Sequence, residues 1–467
     1  MASSLAQRLY WKAPYGLKCR LASWNARRLD RQRYGSAYRR HLESIAEHDR
    51  WAANRFAEFQ EAALLELVRQ AAERVPYYRR LFETTGIDAG QFNGLADLLR
   101  LPILEKETLR ADPVSLVDET LDRAKLIVLH TSGTTGTPLE LYRDPSLNAA
   151  AFAYLDARWH AVVGVRRREH KSVSMGGHLV AEPERSRPPF WVENRRWRQL
   201  YMSSYHLSPK NLGAYVAAIR GYGCDYIEGY PSSVYAVARH MIDYGLEPIP
   251  MKACFTTAET LFDYQREAIQ QAFNCRTYNQ YGCGEMSVFA AECERGSMHL
   301  SPEFGIVEVL DERDQPVAPG DTGQLVCTSL INRVQPFIRY RLGDMGSLRP
   351  GKCVCGSPLP MMGDVEGRTD AVLITRDGRR IGRLDTVFKG ARHIVEAQVV
   401  QDDWDTFRLR LVPAAGYAAL DGARVAHNLR QRLGSGTVRI ELVESIARTR
   451  AGKFPAVICG LSRPRAN

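Results

Sequence analysis

The sequence predicts an α/β protein with a large N-terminal domain of several subdomains and a small α+β domain at its C-terminal end. Its 467 residues exceed what one hydrophobic core usually organises. From residue 126 onward, apolar segments of strand length alternate with helical stretches, as in α/β layering. About the last hundred residues have the pattern of two strands, a helix and a further strand, which suffices for an independent small domain.

The N-terminal part of the chain is predicted to be helical. Residues 37–75 predict an amphipathic helix, because apolar side chains recur three to five positions apart among Glu and Arg. The alternation of strands and helices then predicts elements at 126–129, 145–163, 172–175 and 209–222.

The C-terminal part is predicted to be rich in strands. Residues 305–349 are typical of strands joined by turns at 311–315 and 319–322. The small domain is predicted from four segments at 393–401, 406–413, 425–434 and 437–445. We therefore predict a basic N-terminal extension over 1–45, a large domain over 46–369 and a small domain over 370–467.

The composition is that of an ordinary soluble protein, with 45% hydrophobic and 25% charged residues. No window of about 18 residues is continuously apolar, and the N-terminus lacks the apolar block of a secretion signal, so we expect a cytoplasmic protein. Without an export signal, ten cysteines favour thiols or metal ligands over disulfides.

The first 40 residues are strongly basic, with ten Lys or Arg against the single acid Asp30. Together with aromatic residues such as Trp24, this charge is compatible with peripheral contact with an anionic membrane or a polyanion. A solvated or packed extension explains the same charges equally well. No helix-turn-helix, zinc-finger or RNA-binding signature occurs, so nucleic acid is not an expected partner.

A run of small and hydroxylated residues, Thr131-Ser-Gly-Thr-Thr-Gly-Thr137, follows the apolar segment 126–129. Glycines let the backbone approach a phosphate closely, and amides with hydroxyls can surround its oxygens. A flexible turn between strand and helix is the competing interpretation. The run is not a Walker loop, because no Gly-Lys-Ser/Thr ends it.

Further segments decide between these interpretations. TSGTTGTP resembles the phosphate loop of the adenylate-forming superfamily, and the expected companions follow in the expected order. TTAETL (256–261) resembles the adenine-side segment, NQYGCGEM (279–286) the Tyr-Gly-x-x-Glu segment and RYRLGD (339–344) the ribose segment. EGRTD (366–370) resembles the hinge, and RTRAGKF (448–454) the segment of the catalytic lysine.

Within the superfamily, the chain is most similar to the phenylacetate-CoA ligase-like group. VPYYRRLFETTGI (75–87) and LADLLRLPILEKETLR (95–110) resemble that group's N-terminal region. DGRRIG and HIVEAQVVQ resemble the branch of capsular polysaccharide biosynthesis, and Arg376 to Arg380 replace a Gly-Val-Asn-Val-Phe-Pro-like segment. The resemblance implies a large adenylate-forming domain with a small mobile domain that carries the catalytic lysine.

The resemblance also implies the roles of individual residues. Thr131, Ser132, Gly133, Thr134, Thr135 and Gly136 would hold the ATP phosphates, with Thr135 also counted as catalytic. Glu285 would partner Mg²⁺, Asp344 would accept hydrogen bonds from the ribose, and Arg368 would reinforce the ribose or phosphate side. Lys453 would bridge the reacting carboxylate and the α-phosphate, and Asp370 would be the hinge.

The remaining residues of the implied site line the nucleotide and the acyl group. Ala258, Glu259, Asn279, Tyr281 and Gly282 belong to the nucleotide-binding segments. Tyr230, Ala258 and Tyr281 are candidates for the wall of the acyl pocket.

Four residues predict a structural metal site. Cys293 and His299 have five residues between them, and Cys353 and Cys355 form a Cys-x-Cys turn about fifty residues later. Three thiolates and an imidazole complete a closed tetrahedral Zn²⁺ site, and several members of the resembled group share the arrangement. Four metal-free side chains are the alternative.

The predicted function is ATP-dependent activation of a small-molecule carboxylic acid to an acyl adenylate, with release of pyrophosphate. CoA is one acceptor in the second step. An amine or a sugar hydroxyl as acceptor would make the chain an amide or ester synthetase, and a carrier-protein thiol is a third acceptor. A non-catalytic nucleotide-binding scaffold is the alternative of another class. The joint presence of Glu285, Asp344 and Lys453 argues against it.

Overall fold

The computed structural model describes residues 5–130, 139–182, 184–365, 367–368, 373–376, 380–381, 385–388, 393–449 and 452–461. The predicted phosphate loop, residues 131–138, and Asp370 lie outside the described residues, and for Arg368 the backbone alone is described. Among the described residues, no helix combines the length and the apolar content needed to span a bilayer.

The α-helices, in chain order, are α1 (Leu5–Lys12), α2 (Tyr15–Arg33), α3 (Ser36–His48), α4 (Ala53–Arg74), α5 (Pro76–Thr85), α6 (Lys106–Ala111), α7 (Pro145–Tyr154), α8 (Pro209–Tyr222), α9 (Pro231–Asp243), α10 (Asp263–Phe273), α11 (Asp385–Phe388) and α12 (Ala419–Leu433). A π-helical segment, Leu155–Trp159, continues α7. Short 3₁₀ turns lie at Ala89–Gln91, Leu95–Arg100, Val114–Leu116, Arg123–Lys125, His160–Val163 and Ser204–His206.

The strands are β1 (Ile127–His130), β2 (Glu140–Arg143), β3 (Ser172–Met175), β4 (Trp191–Asn194), β5 (Gln199–Met202), β6 (Tyr226–Gly229), β7 (Ala253–Thr257), β8 (Thr277–Gly282), β9 (Phe289–Glu292), β10 (Met298–Leu300), β11 (Gly305–Leu310), β12 (Gly323–Ser329), β13 (Tyr340–Gly346), β14 (Leu348–Arg349), β15 (Met361–Met362), β16 (Gly367–Arg368), β17 (Leu373–Ile374), β18 (Arg380–Ile381), β19 (Ile394–Gln401), β20 (Thr406–Pro413), β21 (Thr437–Leu442) and β22 (Val457–Cys459).

The chain divides into two compact units. Unit 1 comprises residues 1–27, 165–278 and 366–467, and unit 2 comprises residues 28–164 and 279–365. The mixed α/β architecture confirms the predicted fold class. The predicted domain boundaries at residues 45 and 369 divide the chain differently, and they stay predictions.

Unit 1 combines a mostly parallel sheet with an α+β layer. The sheet has the order β7-β6-β3-β5-β4, in which only β4 runs antiparallel to its neighbour. The second sheet has the order β21-β20-β19-β22 and packs against α12. Val395, Val412 and Ile446 of the C-terminal segment belong to the same apolar core as α8, α9 and α10. In this structure the C-terminal segment therefore packs against the parallel sheet of its own unit.

Unit 2 is built from antiparallel strands and the helices of the N-terminal part. Its strands pair in the orders β8-β9-β10-β15-β14 and β11-β12-β13, and the boundary between the units falls within β8. Leu64, Leu67 and Val68 of α4 are fully buried in a core that also contains Leu325 and Tyr340.

The single helix predicted over residues 37–75 is two helices in the structure. Helical structure stops at residues 49–52, between α3 and α4. Trp51, in this break, is buried against Phe56, Phe59 and Leu359. Tertiary packing of the indole therefore overrides the helical spacing of the local sequence.

Candidate functional site

Glu285 lies in the loop between β8 and β9 and is buried, with 7% of its surface exposed. The Tyr340 hydroxyl donates a hydrogen bond to its Oε1 atom at 3.0 Å, and Asn332 Nδ2 donates to its main-chain oxygen at 3.3 Å. Burial and the neighbouring Glu285 raise the pKa of Tyr340, so the phenol stays a neutral donor. The next residue, Met286, has φ +58°, a conformation that side chains rarely adopt outside functional loops.

Arg143 lies next to the Glu285 loop and was not among the residues predicted from the sequence. It ends β2, is buried, and donates a hydrogen bond to the main-chain oxygen of Gly284. Burial lowers the pKa of Arg143, while Cys283 and Glu285 act in the opposite direction. Its Nε atom is buried without a hydrogen-bond partner in the described part of the chain. Its position five residues after the predicted phosphate loop was the available signal.

The pair of Glu285 and Arg143 fits the groups that the resemblance implies. A carboxylate is a hard oxygen ligand suited to Mg²⁺. A buried guanidinium with an unused N–H group suits a phosphate or carboxylate oxygen.

Tyr281 and Asp344 form a second contact in unit 2. The Tyr281 hydroxyl donates to Asp344 Oδ2 at 2.7 Å. Burial, followed by the charge of Asp344, raises the pKa of Tyr281. The phenol therefore remains protonated and orients the carboxylate of Asp344.

Asn279 and Gly282 lie in β8 with Tyr281, and each is constrained through its backbone. The Asn279 main-chain N–H donates to Glu292 Oε2 at 2.8 Å. A Cβ atom added to Gly282 would lie 2.7 Å from Gln280 Nε2 and 3.3 Å from the main-chain oxygen of Val288, so a side chain there would require the Gln280 side chain to move.

Lys453 lies in a tight turn of unit 1. Thr449 N–H donates to the Lys453 carbonyl at 2.9 Å, and Lys453 N–H donates to Thr449 Oγ1 at 3.1 Å. Gly452 has φ +77°, and an added Cβ would lie 2.6 Å from Ser204 Oγ and 2.7 Å from Gly177 Cα. Glycine is therefore required both by the turn and by its close packing.

Glu259 connects this turn to the TTAETL segment. Its Oε1 accepts a hydrogen bond from Phe454 N–H at 2.6 Å, and its Oε2 accepts one from Ser232 N–H at 3.2 Å. The preceding residue, Ala258, has φ +70°. Glu259 thus holds together the residue after Lys453, the first turn of α9 and the segment predicted to face adenine.

Tyr230 precedes α9 and is buried. Burial, followed by the charge of Glu259 and the nearby Tyr205, raises the pKa of Tyr230. The hydroxyl groups of Ser232 and Ser233 are buried without a hydrogen-bond partner among the described residues. Polar groups and an aromatic wall therefore meet beside Glu259.

The four predicted metal ligands lie together in unit 2. The candidate ligand atoms of Cys293, His299, Cys353 and Cys355 are all within 4.8 Å of one another. Cys293 Sγ and Cys353 Sγ are 3.9 Å apart, and Cys355 Sγ is 3.3 Å from His299 Nε2. Two sulfurs bound to one zinc ion at about 2.3 Å stand about 3.8 Å apart at the tetrahedral angle, so the spacing fits the ion.

The surroundings of the cluster orient the imidazole and favour a deprotonated Cys353, whereas burial raises the pKa of Cys355 to about 11. His299 Nδ1 lies 3.0 Å from the main-chain oxygen of Leu359, which places the proton on Nδ1 and leaves Nε2 for a metal. Burial favours the neutral thiol of Cys353, but hydrogen bonds from Ser297, Cys355 and His299 outweigh it and lower its pKa to about 6.

Comparison with known proteins gives consistent results. The family described as the CapK C-terminal domain matches residues 373–459. Protein CapK of Staphylococcus aureus is 26% identical over 443 residues, covering 91% of this chain and 92% of its own. Phenylacetate-coenzyme A ligase of Thermus thermophilus is 30% identical over 336 residues, covering 68% of this chain and 71% of its own.

A solved structure has the same fold. The crystal structure of 2-hydroxyisobutyryl-CoA ligase in the postadenylation state, in complex with 2-HIB-AMP, aligns with a TM-score of 0.69 at 23% identity. The alignment covers 88% of this chain and 90% of that protein. None of these comparisons tests the roles of individual residues, which stay predictions.

Proposed function

Because this chain belongs to the phenylacetate-CoA ligase family of adenylate-forming enzymes, we propose that it activates a small-molecule carboxylic acid with ATP. Attack of the carboxylate on the α-phosphorus yields an acyl adenylate and pyrophosphate. The activation is needed because direct attack on a carboxylate would have to expel oxide, whereas attack on the acyl adenylate expels AMP. The adenylation step itself is slow without an enzyme because the carboxylate and ATP are both anions and repel each other. The enzyme must therefore neutralise and orient both reactants.

Glu285 would hold Mg²⁺, which supplies charge neutralisation at the phosphates when bound. Arg143 would direct its unused N–H group to an anionic oxygen of the substrate. Asp344, oriented by Tyr281, would accept hydrogen bonds from the ribose. The loop 131–136 and Arg368 keep their predicted phosphate and ribose roles in this proposal.

Lys453 would deliver an ammonium to the oxygens where negative charge develops. The observation that carries the proposal is the 2.6 Å hydrogen bond from Phe454 N–H to Glu259. It joins the residue next to the predicted catalytic lysine to the segment predicted to bind the nucleotide.

CoA is the acceptor that the relatives favour, since the Thermus and Pseudomonas putida relatives are phenylacetate-coenzyme A ligases. The match of the small domain to the CapK C-terminal family keeps an amine, a sugar hydroxyl or a carrier-protein thiol as alternatives. Rotation about Asp370 would exchange the lysine for the face that admits the acceptor. Peripheral membrane contact through residues 1–45 is a separate proposal, because it concerns a surface and not this chemistry.

We also propose that Cys293, His299, Cys353 and Cys355 hold a structural Zn²⁺. The closed ligand set leaves no position for a reacting water, so the ion would tie the β9–β10 hairpin to the turn at residues 353–355 without a part in catalysis.

Exchange of labelled pyrophosphate into ATP, measured with a panel of carboxylic acids, tests the adenylation step. Lys453→Ala is expected to lower the exchange rate by about 100-fold, which is the range for removing one electrostatic group from a transition state. Lys210→Ala, at an exposed position of α8, is the matched control and should retain the wild-type rate. Equal rates for Lys453→Ala and wild type would refute the proposal.

A further inference from the structure

An apolar row lies on the exposed face of helix α2. Leu17, Leu21 and Trp24 are 46%, 40% and 66% exposed, respectively. Their spacing of four and three residues places them on one face of the helix. On the opposite face, Cys19 and Ala26 are buried. Large apolar side chains that gather on one exposed helix face mark an interaction surface.

Cations surround this row. Arg20 and Arg27 are exposed on the same helix, one helical turn from Trp24. The sequence of residues 1–40 contains ten Lys or Arg and the single acid Asp30. An exposed apolar face bordered by basic residues is the composition of a helix that lies in the interface of an anionic bilayer.

A cavity of about 240 Å³ lies at the beginning of α2, between that helix and the segment 180–191. Lys18, Arg185, Tyr15 and Trp191 are among its lining residues. Lys18 is 5% exposed, and its ammonium lies 5.5 Å from the centre of the Tyr10 ring.

Lys18 has no ion pair at contact distance among the described residues, and the charge of Glu182 acts on it only from farther away. A buried ammonium without a direct anionic partner is costly. Arg185 donates hydrogen bonds to the main-chain oxygens of Arg187 and Pro188 at 2.8 and 3.3 Å, which hold its guanidinium at the cavity. The cavity is therefore lined by two cations, Lys18 and Arg185, and by two aromatic rings, and its charge suits a small anion.

We propose that this surface docks the protein on a bilayer that contains anionic phospholipids. Leu17, Leu21 and Trp24 enter the interfacial region, and a lipid headgroup phosphate occupies the cavity of Lys18. A second copy of the chain is the less suitable partner, because a two-fold interface would place the same cations opposite each other. An anionic lipid surface instead complements their charge.

Flotation of the full-length protein with vesicles tests the proposal. Binding to phosphatidylcholine vesicles that contain phosphatidylglycerol is expected to exceed binding to pure phosphatidylcholine by roughly tenfold and to weaken as salt is added. The triple variant L17S/L21S/W24S should lose roughly tenfold in binding to the mixed vesicles. Leu420→Ser is the matched control, because Leu420 is 69% exposed elsewhere in the same unit.

Lys18→Met tests the cavity separately, because it removes the charge and keeps an apolar side chain of similar length. It is expected to lower binding to mixed vesicles by about fivefold and to leave binding to neutral vesicles unchanged. Circular dichroism and pyrophosphate exchange identify variants that fail to fold. Equal flotation of the triple variant and wild type would overturn the proposal, as would a wild-type dimer that the triple variant converts to a monomer. Unchanged flotation of Lys18→Met would overturn the role of the cavity.

Discussion

Glu259→Gln is expected to impair the adenylation step by loosening the turn that carries Lys453. The Glu259 carboxylate accepts two main-chain N–H groups, from Phe454 at 2.6 Å and from Ser232 at 3.2 Å. A glutamine of the same size has one acceptor oxygen, so one of the two N–H groups would face an amide NH₂ group instead. The variant also loses the negative charge that strengthens the remaining bond.

The size of the effect follows from these bonds. A hydrogen bond to a charged group contributes about 1.5–3 kcal/mol, and partial exposure of Glu259 places this one at the lower end. A loss of about 1.5 kcal/mol in the arrangement that positions Lys453 corresponds to a roughly tenfold slower reaction.

Pyrophosphate exchange at saturating ATP is the assay, with Glu247→Gln as the control for an exposed glutamate in the same unit. The predicted signature is a roughly tenfold lower kcat at nearly constant KM for ATP, because the lysine turn acts in the chemical step. Exchange within twofold of wild type would refute the reasoning. A rise confined to the KM for ATP would instead assign Glu259 to nucleotide binding, as its motif predicts.

Three further predictions concern other parts of the site. Protein purified without added zinc should contain about one equivalent of the metal per chain. Cys355→Ser should lower both the metal content and the midpoint temperature of unfolding. Less than about half an equivalent of zinc in the wild type would count against the site. Gly452→Ala should slow pyrophosphate exchange at least tenfold, because the added Cβ would meet packed atoms. The control Gly245→Ala has φ +59° but open space around it, and it should not slow exchange. Equal exchange rates for the two variants would show that the turn of Lys453 tolerates displacement. Arg143→Gln should lower the rate of pyrophosphate exchange by roughly 10- to 100-fold relative to Arg123→Gln, a control at an exposed position. Equal rates for the two variants would show that Arg143 does not bind the anion.

The sequence predicts elements best where local signals bound them. Helix α8 begins at Pro209 and ends before Gly223, which has φ +62°, so a residue suited to the first turn and a residue suited to left-handed backbone set both ends. The break at Trp51 has no such signal. There the indole is buried against Phe56, Phe59 and the distant Leu359, and the helical spacing of residues 37–75 does not encode that packing.

The same distinction holds for the candidate site. Cys293 and Cys353 could be grouped from the sequence because thiol and imidazole ligands are few and chemically specific. For Arg143 the one signal was its position five residues after the predicted phosphate loop, which does not by itself distinguish one arginine among many. The bond from Phe454 to Glu259 joins residues 195 positions apart, and no local spacing encodes it.

The interleaved composition of unit 1 has a consequence for its synthesis on the ribosome. Its apolar core combines residues of 165–278 with Val395, Val412 and Ile446. A nascent chain that has emerged through residue 278 therefore presents an incompletely covered apolar layer until more than a hundred further residues have been translated. Completion of this core also positions the turn of Lys453, the predicted catalytic residue, so we expect unit 1 to finish folding only after its C-terminal segment has emerged.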